Sequence, residues 1–379
     1  MFMMAMVLFG YIVCSMILPL KISWKYKLGA AFAVFVIAQK NGILRRIGGG
    51  MFFSPEIPRW LLIIVAFLYG ILFFSAAFLL FKDIVCIGVW KILAYKKTVN
   101  NKFPCGLAAC IILFFSVILS TYSLWEGLNT PPVKYVEMQF DRLPAEFDGF
   151  RIAVLADLHA SAVNQSPFIN KIVDLTLNEK ADLIVLPGDI IDGRVDKRME
   201  DVEPLRKLSA PYGVYAVLGN HEYYSGYEEW MTKFADLKLP ILINSHVELK
   251  KDGKSIYLGG LPDYSAKKRG KEAPDLQKTW LNVPESAFKI LLAHQPKNNY
   301  AHAASGVDLQ ISGHTHGGMI IGMDKLLIAP SNSGVVRGEY DIDNMKLYIS
   351  AGASLWSGFP LRLGIPPEIT IIVLRKKNK

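Results

Sequence analysis

The stretch DLQISGHTHGGM, residues Asp308–Met319, is central to the organisation of this chain. A short apolar run containing Leu309 and Ile311 leads into a turn in which glycines flank His314 and His316. Glycine lets a backbone turn tightly and approach a ligand closely. Because the two histidines are two residues apart, an extended segment would direct both imidazoles to one side. That arrangement suits two neighbouring metal ions better than one. Paired surface histidines in a turn are the alternative for this stretch alone.

Four further apolar runs also end in Asp, Asn or His. They lead into Asp157-Leu158-His159, Gly188-Asp189-Ile190-Ile191-Asp192, Gly219-Asn220-His221-Glu222 and His294-Gln295-Pro296. In open α/β sheets, sites form at the carboxyl ends of the strands. Each block alone is compatible with a helix cap or a turn. Five blocks at five strand ends predict a metal site, and they use five of the seven histidines. His246 and His302 stand elsewhere and are expected to be ordinary surface or loop residues.

The order D-x-H, G-D-x-x-D, G-N-H-E, H and G-H-x-H resembles the calcineurin-like metallophosphoesterase superfamily. Within it, the chain is similar to bacterial membrane-anchored phosphoesterases, over residues from about 133 to 375. The resemblance implies an α/β (α+β) fold, a four-layer αββα sandwich, with two metal ions that share Asp189. It implies the following ligands: Asp157, His159, Asp189 and His316 for the first ion, and Asp189, Asn220, His294 and His314 for the second. His221 matches the non-ligand histidine that lies near the leaving-group oxygen, and Asp192 a residue that supports the ligands.

The chemistry explains why such residues are needed. A phosphodiester is an anion that repels hydroxide, and two divalent metals can neutralise its oxygens and turn a bridging water into hydroxide at neutral pH. Imidazole and carboxylate ligands suit Mn, Fe, Zn or Co. Residues 126–379 contain no cysteine, which excludes a cysteine-based zinc site there. We expect His221 to assist the departing alkoxide as a general acid; the alternative is a spare metal ligand. Tyr223, Tyr224, Trp356 and Arg362 are candidates for the pocket wall or for ordinary packing.

Charge is distributed unevenly along the chain. Residues 1–125 contain 12 Lys and Arg but only two acidic residues, Glu56 and Asp83, whereas the remainder is nearly balanced. The overall charge of +9 is therefore a property of the N-terminal part. Membrane-flanking basic residues explain it better than nucleic-acid binding does, so no nucleic-acid partner is expected. All four cysteines also fall in this part.

The N-terminal part, residues 1–125, is predicted to be a transmembrane anchor of about four helices. Phe2–Leu20, Leu61–Phe81 and Pro104–Trp125 are each long enough to span a bilayer and contain no ionisable residue. Leu28–Gln39 has only 12 residues, so it spans only if it extends toward Arg45-Arg46; otherwise it lies at the interface. Without intramembrane charges that would mark a transport path, anchoring is the expected role.

Lysine and arginine positions predict the orientation of the anchor. With four spans, one side holds Lys21, Lys25, Lys27, Lys82, Lys91, Lys96, Lys97 and Lys102. The other side holds Lys40, Arg45, Arg46 and Arg59 together with the C-terminal unit. This excess predicts a multi-pass protein of the plasma membrane whose catalytic domain is extracytoplasmic. If Leu28–Gln39 does not cross, the same rule makes that domain cytoplasmic.

Residues 126–379 alternate brief β-rich runs with longer polar segments, which predicts one sizeable α/β catalytic domain. The predicted strands are Tyr135–Phe140, Arg151–Ala156, Leu183–Pro187, Val214–Leu218, Ile241–Ile243, Ile256–Gly260, Ile290–Ala293, Leu309–Ile311, Lys325–Ala329, Leu347–Ser350 and Ile369–Leu374. Pro167–Asn178 and Tyr227–Leu237 have helical patterns.

These expectations combine into a membrane-anchored, metal-dependent phosphohydrolase, of the phosphodiesterase type, that uses a dinuclear centre and a bridging hydroxide. Its cofactors would be two divalent ions per chain (Mn, Zn or Fe). Its partners would be a phosphoester substrate, lipid-linked or from the cell envelope, and membrane lipids; no specific protein partner is predicted. One alternative is a hydrolase of pyrophosphate-linked lipids or nucleotide sugars at the membrane surface. A second is a metal-containing sensor or binding module, which fits poorly because structural zinc sites are usually mononuclear and closed.

Overall fold

The computed structural model describes residues 2–48, 54–94 and 105–377. The chain forms two compact units. The first comprises Met1–Glu126 together with Gly358–Leu361, and the second comprises Gly127–Ser357 together with Arg362–Lys379.

The first unit is helical. Its helices are α1 (Phe2–Ile12), which continues as a π-helical turn over Val13–Ile17, α2 (Trp24–Ala38), α3 (Lys40–Ile47), α4 (Arg59–Ala94) and α5 (Cys105–Leu128). Two segments, Arg59–Gly88 and Gly106–Leu128, are long and apolar enough to cross a membrane. Helices α2 and α3 form a pair bent by 66° that would count as a third, and Ala5–Ile17 is shorter. The two later predicted spans therefore have matching helices, whereas the number four is not confirmed.

Lys40 differs from the expectation for a membrane-flanking charge. Its side chain is buried within the first unit, at the bend between α2 and α3. The ammonium lies 4.5 Å from the ring centroid of Tyr69 and donates a hydrogen bond to Asn41 Oδ1 at 2.7 Å. Both contacts are ones that an ammonium cation makes while buried. Three lysines predicted for the opposite side of the anchor, Lys96, Lys97 and Lys102, and Pro104 of the last predicted span lie outside the described residues.

The second unit contains two mixed β-sheets. The strands are β1 (Val133–Phe140), β2 (Arg151–Val154), β3 (Leu183–Pro187), β4 (Val214–Val217), β5 (Ser245–Lys251), β6 (Lys254–Gly260), β7 (Phe288–Leu292), β8 (Leu309–Ser312), β9 (Gly338–Ile342), β10 (Met345–Ile349) and β11 (Ile369–Lys376). One sheet has the order β1-β11-β2-β3-β4, and the other β5-β6-β7-β8-β10-β9. Strands β2, β3 and β4 are parallel, as are β6, β7, β8 and β10.

Alternate side chains of these strands serve different cores. Ile152 and Val154 of β2 pack in a core that also contains Ile290 and Leu292 of β7, so this core lies between the sheets. Ala153 instead joins a core with residues of the flanking helices. Both faces of the central strands are covered, which explains their nearly continuous apolar sequences. The predicted mixed α/β architecture is confirmed.

Helices of the second unit cover the outer faces of the sheets. They are α6 (Ser166–Asn178), α7 (Val195–Arg198), α8 (Asn220–Tyr224), α9 (Tyr227–Asp236), α10 (Ser265–Lys268), α11 (Leu276–Thr279) and α12 (Asn299–Ala304). Helix α6 buries Ile169, Ile172 and Val173 at helical spacing, and α9 buries Trp230 and Phe234 one turn apart.

Two predicted strands are wrong. Lys325–Ala329 lies in a π-helical turn, Asp324–Ile328, whose Asp324 side chain accepts the N–H of Gly322 at 2.8 Å. Pro330 follows and cannot donate to a strand ladder. Ile241–Ile243 contributes only an isolated bridge between Ala216 and Ile241. The polar edge strands β5 and β9 are not predicted, because they lack the apolar runs by which buried strands are recognised.

Candidate metal centre

The seven predicted metal ligands and His221 lie together at the carboxyl ends of strands from both sheets. Strands β2, β3 and β4 lead to Asp157, Asp189 and Asn220, while β7 and β8 lead to His294 and to the glycine-flanked histidines. The two sheets meet here directly, because the backbone N–H of His314 donates to Asp157 Oδ1 at 2.9 Å. Most of these side chains are buried. Buried acidic and basic groups at such density require partners or a metal.

Potential ligand atoms form three groups within which all atoms lie within 4.8 Å of one another. The groups are Asp157 with His159 and His316, Asp189 with His294 and His314, and His159 with Asp189 and His221. The first two match the division between two ions that the resemblance implies. His314 and His316 therefore belong to different groups although only one residue separates them.

The two histidines do not lie on an extended segment, so the expectation that both imidazoles point to one side is wrong. Strand β8 ends at Ser312, and both histidines have left-handed backbone conformations, with φ of 72° at His314 and 49° at His316. Asp157, His159 and Asp189 also have positive φ. Such conformations are unfavourable for residues with a side chain and cluster at functional sites, where the surrounding fold maintains them.

The first group contains imidazole nitrogens that face each other. His159 Nε2 lies 2.9 Å from His316 Nε2, and His316 Nε2 lies 4.0 Å from Asp157 Oδ1. Burial lowers the pKa of His316 well below its ordinary value. A neutral imidazole is the form that binds a metal. The donor set therefore fits a divalent cation that accepts lone pairs from both rings and from the carboxylate.

The second group is oriented by the backbone. His294 Nδ1–H donates to the carbonyl of Pro187 at 2.9 Å, so its Nε2 faces Asp189 Oδ2 at 3.2 Å and Asn220 Oδ1 at 3.3 Å. Three acceptor atoms converge, which requires a proton or a cation among them. Burial opposes protonation, but Asp189 raises the pKa of His294 to about 10. A metal ion at this point would replace that proton.

Asp189 is the residue that the resemblance assigns to both ions, and its carboxylate approaches histidines of both ligand groups. Its Oδ2 lies 3.2 Å from His294 Nε2 and 3.8 Å from both His159 Nε2 and His221 Nε2. Although burial alone would raise the pKa of Asp189, the surrounding imidazoles of His221 and His294 hold it well below its ordinary value. The carboxylate is therefore ionised at neutral pH and suited to bridge two cations.

Comparisons with known proteins show the family of this chain. Residues 150–318 match the calcineurin-like phosphoesterase family. A metallophosphoesterase of Helicobacter pylori is 34% identical over 75% of this chain and 73% of its own length. One from Campylobacter jejuni is 34% identical over 70% and 69%. The chain belongs to the calcineurin-like phosphoesterase family. A zebrafish (Danio rerio) transmembrane protein with a metallophosphoesterase domain is 27% identical over 86% of this chain and 76% of its own length.

Asp192 orients His221 of this phosphoesterase. Its Oδ1 accepts a hydrogen bond from His221 Nδ1–H and also lies 3.1 Å from His159 Nδ1. Both rings present their Nε2 atoms to Asp189 Oδ2 at 3.8 Å. Burial alone would lower the pKa of His221, but Asp189 and Asp192 raise it to about 9. The raised pKa favours the protonated imidazole at neutral pH, while the Nε2 position also permits metal ligation.

Glu222 belongs to the G-N-H-E block, but the sequence assigned it no separate role. Its buried carboxylate accepts four backbone N–H groups, from Asp189 at 3.2 Å, Ile190 at 2.7 Å, Ile191 at 3.2 Å and Gly219 at 2.7 Å. It thereby joins the loop after β3 to the loop after β4. Gly219 is required at this junction, because a Cβ there would collide with the Asp189 carboxylate.

We expect Glu222→Gln to weaken metal retention in this phosphoesterase. The amide places an NH₂ group where backbone donors require an acceptor, so the loop that carries Asp189 shifts. Support of this kind is worth roughly 10–100-fold in metal affinity. Titration of the chelated protein with Mn, followed by activity, would measure the effect, and excess metal should restore much of the rate. Glu229→Gln, at an exposed position of α9, is the control. Equal metal affinity in the two variants would contradict this role.

The pocket-wall candidates separate into two kinds. Tyr224 and Trp356 have ring centroids 5.9 Å from that of His221, and Trp356 also stacks on His316 at 6.1 Å. Tyr223 is buried and stacks on Tyr227. Arg362 is buried and donates to backbone carbonyls, including those of Ala351 and Ser354.

Two buried polar residues of the site are not predicted from the sequence. Asp263, three residues beyond the end of β6, is buried and accepts a hydrogen bond from Gln295 Nε2 at 2.8 Å, beside His294. Its position after a strand was the available signal. Asn164 donates to the carbonyl of His159 at 3.0 Å, and no motif marks it. His246 and His302 lie outside the site; His302 is buried rather than exposed, and bonds to Gln310.

Proposed function

We propose that this protein is a membrane-anchored, metal-dependent phosphodiesterase with a dinuclear centre. The observation that carries the proposal is that the Asp189 carboxylate approaches a histidine of each ligand group, His294 at 3.2 Å and His159 at 3.8 Å. His221 lies beside them and bonds to Asp192. Asp157, His159, Asp189 and His316 would hold one divalent ion, and Asp189, Asn220, His294 and His314 the other. Mn, Zn or Fe would suit these nitrogen and oxygen donors.

The metals, when bound, would neutralise phosphoryl oxygens and supply a nucleophile from water at neutral pH. The chain's own residues perform the other tasks. Asp192 holds His221 in the orientation that aims Nε2 into the site, where it donates a proton to the leaving oxygen. Tyr224 and Trp356 flank that histidine and limit the access of water from their side. Glu222 maintains the position of Asp189 throughout.

Residues 1–125 would anchor the enzyme and residues 126–379 would form the catalytic domain. Two helices long and apolar enough to cross a membrane support the anchor, as does the zebrafish relative's description as a transmembrane protein. The excess of basic residues on one side supports a multi-pass anchor with the catalytic domain outside the cytoplasm.

Metal removal tests the proposed function. The purified full-length chain in detergent should lose hydrolysis of bis(4-nitrophenyl) phosphate after chelation and regain it with Mn or Zn. The matching monoester, 4-nitrophenyl phosphate, should be hydrolysed more slowly. The absence of diester hydrolysis with every metal would overturn the proposal, and faster monoester hydrolysis would replace it with a phosphatase.

A second candidate is a hydrolase of pyrophosphate-linked lipid substrates at the membrane surface. The favouring observation is an apolar surface segment that follows the ligand turn of the second unit. Ile321, Leu326 and Leu327 are 64%, 77% and 58% exposed there. Apolar side chains so exposed and so close in sequence are typical of a membrane or partner surface. Hydrolysis of lipid-linked pyrophosphates in vesicles, without hydrolysis of soluble diesters, would favour this candidate.

A further inference from the structure

A basic segment lies at the same sheet edge as the metal ligands, and the mechanism does not use it. It follows β6 and includes Lys267, Lys268 and Arg269, all of them exposed. Helix α10 begins the segment and packs against α8, which carries His221. The parallel strands β6, β7 and β8 end at this edge, so their following loops share one rim.

Hydrogen bonds give the segment a defined shape. Asp263 Oδ1 accepts the N–H of Ser265 at 2.8 Å, and the Asp263 carbonyl accepts the N–H of Ala266 at 3.0 Å. The Ala266 carbonyl in turn accepts the N–H groups of Arg269 at 2.9 Å and Lys271 at 3.0 Å. The same Asp263 side chain bonds to Gln295, the neighbour of His294. The basic segment is thus fixed to a loop of the metal centre.

Arg269 has a specific position at the rim. Its guanidinium carbon lies 5.2 Å from the ring centroid of Tyr224, whose ring is in turn 5.9 Å from that of His221. Stacking on a ring holds a guanidinium by one face and leaves its N–H edge available for an anion. Lys271 differs, because it pairs with Glu228 and lies 4.7 Å from the Tyr227 ring.

Two basic side chains of this rim have no ion-pair partner among the described residues. Over residues 2–48, 54–94 and 105–377, no carboxylate forms an ion pair with Arg269 or with Lys297, which follows the β7 loop. Lys297 lies three residues after the ligand His294, in the loop that follows β7. Uncompensated cations beside a site attract anionic substrates.

We propose that Arg269, positioned by Tyr224, binds a second anionic group carried by the leaving portion of the substrate. The inference rests on the proposed function, because it takes His221 to mark the leaving-group side. The substrate class is a phosphoester whose leaving group bears a further phosphate or carboxylate. Lys297 adds positive charge along the same rim. A guanidinium recognises both anions through paired N–H groups.

Two chromogenic diesters test this subsite. Ethyl 4-nitrophenyl phosphate has an uncharged substituent on its leaving group, and ethyl 3-carboxy-4-nitrophenyl phosphate adds one carboxylate. The full-length protein in detergent, loaded with Mn, should show a kcat/KM about three- to tenfold higher for the carboxylate substrate, as expected for a partly exposed ion pair. Arg269→Gln should bring this ratio close to one, and Arg269→Glu should bring it below one.

Matched controls separate the subsite from general charge and from folding. Lys254→Gln removes an exposed cation at the opposite end of β6 and should preserve the wild-type ratio. Tyr224→Phe retains the ring and should preserve the ratio, whereas Tyr224→Leu should lower it. Metal content, measured for each variant, shows whether the centre is intact.

The outcomes are distinguishable. A wild-type ratio of one, or a ratio that Arg269→Gln leaves unchanged, overturns the subsite. Hydrolysis of ethyl 4-nitrophenyl phosphate in that case still supports the proposed function. Failure of the wild-type protein to hydrolyse either diester with any metal overturns the proposed function as well.

Discussion

Replacement of Asp189 with Ala is expected to remove bound metal and activity together. The carboxylate lies within 3.8 Å of Nε2 atoms of His159, His221 and His294 and belongs to two of the three ligand groups. Without it, the group that contains His294 and His314 has no carboxylate to balance a divalent cation. The loss should exceed the roughly 10–100-fold expected for residues that only support ligands.

Metal content and kcat measured on the same preparations would check this result. The wild-type chain should hold two ions and the Asp189→Ala chain fewer than one. Asp189→Asn keeps the side-chain volume and should behave similarly, which separates charge loss from a packing defect. Asp196→Ala, at an exposed position of α7, should leave both quantities at wild-type values. Two retained ions in both Asp189 variants would contradict a bridging role.

Replacement of His221 with Ala is expected to lower kcat without lowering the metal content. His221 is oriented by Asp192 and faces the site, but the resemblance assigns it no metal. Removal of a general acid costs about 10²–10⁴ in rate. Both ions should therefore remain, while turnover falls. The fall should be larger for a diester with an alkyl leaving group than for one with 4-nitrophenolate, since a poor leaving group depends more on protonation.

His246→Ala provides the matched control, because His246 lies outside the site and bonds to the backbone of Thr279. It should leave turnover and metal content near wild type. Asp192→Ala should resemble His221→Ala in its dependence on the leaving group, because it removes the carboxylate oxygen that accepts the His221 Nδ1–H and orients the ring. Loss of one ion in His221→Ala would instead make this histidine a ligand. Full activity would exclude it as the acid.

Much of the site could be predicted because its residues lie in short motifs directly after apolar runs. Buried strands such as β3 appear as apolar runs, and the polar residues that end them are adjacent in sequence. Parallel strands place those ends at one sheet edge, so Asp157, Asp189 and His294 could be expected to approach one another. Polar edge strands and the turn over Asp324–Ile328 carry no such signal. The apolar side chains of that turn are exposed rather than buried, and Leu326 is among the most exposed large hydrophobic residues of the second unit.

The sequence by itself determined the residue types of the centre and the strand ends that present them, because both depend on short-range patterns. Only the tertiary structure decided how the residues are grouped. Left-handed φ values send His314 and His316 to different ligand groups, which spacing alone did not reveal. Contacts between segments far apart in sequence let Glu222 join two loops of the site and place Arg269 beside Tyr224. Such contacts depend on the packing of two sheets, and no local pattern encodes them.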